Sequence, residues 1–232
     1  MKKVNPLLII ILALGVFGII TTEMGIIGVL PQVTQKFNVS ASQAGWLVSI
    51  FSLVVAISGP FLTLLVSGMN RKVILLIAVF SFVISNIVYA YTTHFEVMLI
   101  FRVLPAIFHP VFFSVALVTA SHLVPPEKSS KAVTKVFAGI TVGFAFGVPL
   151  TSYLAEKIAL EAAFWFGAVV SMIAFVGILI WLPSLPVQQR CLMANSLVYY
   201  ASLNYGSILC LLFLSLRLCF QCIATLLNIL EN

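Results

Sequence analysis

The sequence predicts an all-α integral membrane protein built on a bundle of six transmembrane helices. Three observations predict it. Of 232 residues, 62% are hydrophobic and only 8% are charged, whereas soluble domains carry about 25% charged residues. The apolar residues come in long runs, and about 18 or more in a row is enough to span a bilayer. The basic residues sit at the ends of these runs, as in the loops of a membrane protein. The net charge of +6 therefore reads as loop charge, and no basic stripe suggests nucleic acid.

Six spans follow in order, at roughly residues 7–30, 44–66, 73–92, 97–123, 132–154 and 162–183. The first follows Lys2 and Lys3 as a signal peptide would. It is too long for a signal h-region and no small-residue cleavage site closes it, so it reads as an uncleaved span. Ser40 and Gln43 have the spacing of a capping box before span two. Pro125-Pro126 ends span four, and Pro183 and Pro186 end span six. Residues 1–187 form this unit. Residues 188–232 form a separate tail that holds all four cysteines and reads as a truncated or frameshifted end. Within the tail, 197–230 is apolar enough for a seventh segment, although Arg217 interrupts it.

The Lys and Arg distribution orients the bundle. An N-terminus in the cytoplasm places Lys2, Lys3, Arg71, Lys72, Lys128, Lys131, Lys135 and Arg190 inside, and leaves only Lys36 and Lys157 outside.

No soluble-enzyme motif is present and Asp is absent; Cys219 and Cys222 form one C-x-x-C, but no second ligand pair makes it a zinc site. An enzyme is not expected, and neither a metal nor a cofactor is implied. Chemistry must come from polar groups inside the spans, which are costly there and therefore functional candidates. Glu23 lies in span one, about 10 Å from its outer end at 1.5 Å per residue. A carboxyl group in such surroundings is a candidate proton carrier; the alternative is a carboxyl reaching for the outer interface. Arg102 in span four lies about 8 Å deep by the same rise. The similar depth allows a pair with Glu23; the alternative is a side chain snorkelling outward. His109 lies seven residues further in. Pro105 and Pro110 free the carbonyls of Phe101 and Ala106 from their usual helical partners. Carbonyls and imidazole together make a polar spot of the kind that binds substrate in transporters, or simply a kinked packing helix. Span five carries Gly139, Gly143 and Gly147, then Pro149. That spacing makes one smooth face for close helix packing, and the broken helix is a candidate gating element. Asn86 in span three reads as interhelical glue.

These residues resemble the N-terminal half of the major facilitator superfamily, most closely its bacterial drug- and sugar-efflux proton antiporters, the arabinose-efflux-permease group. The stretches that carry the resemblance are Thr21-Thr22-Glu23, Ser42-Gln43-Ala44-Gly45, Arg71-Lys72 and Arg102-Val103-Leu104. Further on come His109 with Phe112-Phe113-Ser114, Leu123-Val124-Pro125-Pro126-Glu127-Lys128 and Gly147-Val148-Pro149. The loop motif departs from the family, with Ser67 where an Asp is usual, and Ala106 and Pro110 replace the usual glycines of span four. The resemblance implies two inverted three-helix repeats and proton-coupled export of a sugar, drug or nucleoside-like molecule. It implies a multi-pass protein of the bacterial plasma membrane, with lipid, protons and a small molecule as partners. Glu23, Arg102 and His109 would serve coupling and transport, and Arg71 and Lys72 the cytoplasmic loop. Such a site lies between two six-helix halves, so one half alone is expected to be inactive unless a second half or a second copy completes it. The alternative is a membrane fragment, scaffold or regulatory subunit that transports nothing.

Overall fold

The structure is a computed structural model that describes residues 6–66 and 69–183. The described chain is helical, with no strand among its elements. In order these are α1 (Pro6–Gly28), α2 (Leu30–Phe37), α3 (Ala41–Leu65), α4 (Arg71–Tyr91) and α5 (Phe95–His122). Then come α6 (Pro126–Val142), a π-helical turn (Gly143–Gly147), α7 (Val148–Lys157) and α8 (Leu160–Trp181). Six spans are long and apolar enough to cross a bilayer: α1, α3, α4, α5, α6 through α7 as one, and α8. The tail at 188–232 and Ser67 lie outside the described residues.

Local signals set most boundaries. Ser40 and Gln43 form the capping box: Ser40 N donates to Gln43 Oε1 at 2.9 Å, and Gln43 N donates to Ser40 Oγ at 3.2 Å. Asn70 caps α4 by accepting from Lys72 N. Pro126 opens α6, where a missing N–H costs nothing. Two boundaries differ from the sequence reading. Span one ends at Gly28, and α2 follows it as a short separate helix. Pro31 in the first turn of α2 explains the start, since proline favours that position. Leu30 and Val33 are its buried face. Asn38 ends α2 in the left-handed conformation at φ 51°, which Asn tolerates better than most residues. Span five is also longer than expected, running from Pro126 to Lys157 through the π turn.

The packing has internal symmetry. Span one packs on spans five and six, span four packs on spans two and three, and spans three and six pack on each other. Exchanging the first three spans with the last three maps these pairings onto one another, the arrangement of two three-helix repeats. The fifth span approaches the first through glycine. A Cβ on Gly139 would meet the Ala13 carbonyl, one on Gly143 would lie 2.7 Å from Ile20 Cγ2, and one on Gly147 would meet the Thr21 hydroxyl. All three glycines therefore face α1, and any side chain there would force the helices apart.

Candidate functional site

The site forms where α1, α3 and α5 converge. Arg102 is 1% exposed, so it does not snorkel. Its guanidinium donates to three backbone carbonyls on two other helices. Nη2 reaches Glu23 O at 2.8 Å, Nη1 reaches Thr22 O at 3.3 Å, and Nε reaches Leu47 O at 3.2 Å. The Phe51 ring lies beneath it, 4.5 Å from Cζ to ring centroid. A planar, delocalised cation suits this combination of fork and ring. Arg102 thus ties α5 to α1 and α3.

The carboxyl of Glu23 goes elsewhere. Its Oε2 lies 2.8 Å from His109 Nε2. The atoms are at ion-pair distance, but their alignment is not that of a hydrogen bond, and His109 Nδ1 is buried with no partner among the described residues. His109 sits between two rings, with Phe113 at 4.8 Å and Phe51 at 5.5 Å between centroids. The two side chains are 13% and 15% exposed, but Glu23 Oε2 and both His109 ring nitrogens are themselves buried.

Depth along the spans suggested Glu23 with Arg102, and it misled because it placed Cα atoms only. Helical side chains lean toward the N-terminus of their own helix, while carbonyls point toward the C-terminus. Spans one and four run in opposite directions. Glu23 and His109 therefore lean toward each other and close the gap between them. Arg102 leans away from the Glu23 carboxyl and meets the Glu23 carbonyl instead.

The prolines of α5 free carbonyls as the sequence implies, and neighbouring helices use them. Phe101 O accepts from Ser85 Oγ at 3.1 Å and from Tyr89 OH at 3.0 Å. Ala106 O accepts a long bond from Ser58 Oγ at 3.5 Å. These carbonyls join helices and are not left for a ligand. Asn86 also joins helices, donating from Nδ2 to Thr22 Oγ1 at 2.9 Å.

The loop residues have different duties. Arg71 opens α4. Lys72 Nζ donates to Leu179 O at 2.8 Å, a cation on the last turn of α8 where the helix dipole favours it. Lys36 on α2 pairs with Glu161 on α8 at 2.6 Å. Composition gave no sign of this tie, because both residues sit at span ends. Among the described residues no three His, Cys, Asp or Glu side chains converge as a metal site.

The buried Arg and the carboxyl–imidazole pair thus lie side by side within six apolar spans. The family model of the Major Facilitator Superfamily matches residues 12–228. The chain belongs to this superfamily. It is similar to the uncharacterised MFS-type transporter YfhI of Bacillus subtilis, 34% identical over 177 residues, which cover 76% of this chain and 45% of YfhI. It is also similar to the chloramphenicol resistance protein of Streptomyces lividans, 32% identical over 77% of this chain and 46% of that protein. Among solved structures the human organic anion transporter MFSD10 shares the fold, with a TM-score of 0.65 at 18% identity over 78% of this chain and 49% of that one. The chain spans about half the length of the curated relatives it matches. It is a multi-pass membrane protein with a major facilitator fold.

Proposed function

We propose that this chain supplies the six N-terminal helices of a proton-coupled exporter of a small molecule in a bacterial membrane, with its N-terminus in the cytoplasm. The Glu23–His109 pair, 2.8 Å apart within the spans, carries the proposal. A carboxyl and an imidazole at that distance exchange one proton after a small realignment of the two side chains. Arg102 fixes the backbone of Thr22 and Glu23 and so aims the carboxyl at His109. The fifth span serves as the gate: its glycine face lets it slide on α1, and the π turn before Pro149 gives it a weak point. The efflux direction is supported by the resemblance of the Thr21–Glu23 and Gly147–Pro149 stretches to drug- and sugar-efflux antiporters, and by likeness to a chloramphenicol resistance protein.

The substrate wall opposite α1 and α5 comes from a second six-helix half or a second copy. The second and fifth spans are the least buried of the six, which supports that face as the one to be covered. Proteoliposomes carrying the chain alone, under an imposed proton gradient and offered sugars and cationic drugs, are expected to show no saturable uptake. Gradient-dependent, saturable transport by this chain alone, measured where it runs as a monomer, would overturn the half-transporter reading.

A further inference from the structure

A small cavity lies between α1, α4, α7 and α8, with polar groups set among apolar ones. Thr21, Thr22, Asn86, Thr151, Phe164 and Gly167 line it. Its free space suits about one water molecule.

Asn86 points its amide into this space and is 1% exposed. Its Nδ2 donates to Phe82 O and Thr22 Oγ1, both at 2.9 Å. A carbonyl such as Phe82 O can only accept, so the amide nitrogen must lie on that side. Oδ1 therefore lies on the other side, over Gly167, where a Cβ would come within 2.9 Å of it. No described residue donates to Oδ1. Thr21 Oγ1, in the same lining, is buried with no partner among the described residues, and such an orphan is costly where lipid excludes bulk water.

Two glycines keep the space open. A Cβ on Gly25 would lie 2.8 Å from Thr151 Oγ1, and one on Gly167 would crowd both Asn86 Oδ1 and Thr22 Oγ1. Thr151 donates to Val148 O at 2.7 Å and Thr22 donates to Gly18 O at 3.0 Å, so each hydroxyl oxygen keeps a lone pair for a further donor.

We infer that this cavity is a built site for a single ordered water that donates to Asn86 Oδ1 and joins α4 to α7 and α8. The polar groups of the lining are hydroxyls and one amide, with no carboxylate, beside apolar side chains such as Ile26 and Val29, and this suits a neutral water better than a cation. The water bridges the two three-helix repeats through a replaceable molecule, so their contact can shift without stranding the Asn86 amide. It also backs the Thr22 turn, whose carbonyl Arg102 holds from the other side. The site stands whether or not Glu23 carries protons.

Crystals of the full chain grown from lipidic mesophase, in sodium chloride and in rubidium chloride, test it. One density peak within hydrogen-bond distance of Asn86 Oδ1, in both salts and without rubidium anomalous signal, is expected. No peak overturns the site, and a rubidium peak replaces water with a monovalent cation. Melting of Thr151→Val in detergent gives a second reading without crystals. A hydroxyl that serves a water makes this near-isosteric change lower the melting temperature by several degrees. An unchanged or higher melting temperature means a dry cavity, because the hydroxyl then bonds only its own helix.

Discussion

Glu23 and His109 meet at 2.8 Å across two antiparallel helices because each side chain leans toward the start of its own helix. Seven residues of α5 separate His109 from Arg102, yet both touch the same residue of α1, one at the carboxyl and one at the carbonyl. Glu23 is thus held at its backbone by Arg102 while its carboxyl faces His109, the division that the proposed proton site uses.

That division predicts unlike phenotypes. In a transporter carrying this half, Glu23→Gln and His109→Gln should each lower proton-driven export by roughly a hundredfold, the scale on which a proton-transferring side chain acts. Folding should be intact, judged by monodisperse elution in detergent. Transport at the full rate with unchanged pH dependence in either variant contradicts the assignment.

Arg102→Lys should act on stability. An ammonium cannot reach three carbonyls on two helices and stack on Phe51 together. Losing one or two charge-assisted bonds costs about 1.5–3 kcal/mol each. Unfolding in mixed detergent micelles measures the loss, and a lysine variant as stable as the parent would remove Arg102 from its anchoring role.

The same substitution at two glycines should give opposite signs. Gly139→Ala places a methyl against the Ala13 carbonyl and should destabilise by about 1–3 kcal/mol through overpacking. At Gly45 nothing lies within 4 Å of an added Cβ, so Gly45→Ala should be neutral or gain about 0.5–1 kcal/mol from helix propensity. Equal effects at both positions would mean that α6 does not approach α1 so closely.

Much of this was legible in the sequence. Long apolar runs and span-end charges gave the six spans, and Ser40 with Gln43 gave the start of α3. Glycines at four-residue spacing marked the close face of span five. The helix α2 was hidden because its apolar residues continue the run of span one, and only Pro31 marks the break. The Glu23–His109 pair was hidden because depth was counted along Cα positions, where Arg102 is the nearer match. Side-chain lean, which reverses between antiparallel helices, was the missing term. The Lys36–Glu161 tie lies 125 residues apart in sequence, and no local pattern foretells such a pair.

Orientation remains a prediction from the eight-to-two distribution of basic residues between the two sides. With single cysteines introduced in a background lacking the native four, Lys36→Cys should react with an impermeant maleimide added outside intact cells. Lys131→Cys should react only after the cells are opened. The reverse pattern would turn the bundle over.

The most direct test of the proton site needs no substrate and no second half. An infrared pH titration of the purified chain in lipid nanodiscs follows the carbonyl stretch of protonated carboxyl groups. The account predicts a component of that band that is lost in Glu23→Gln and moves in frequency in His109→Gln, because the imidazole lies against that carboxyl. A band unchanged by Glu23→Gln, or a Glu23 component indifferent to His109→Gln, would contradict it.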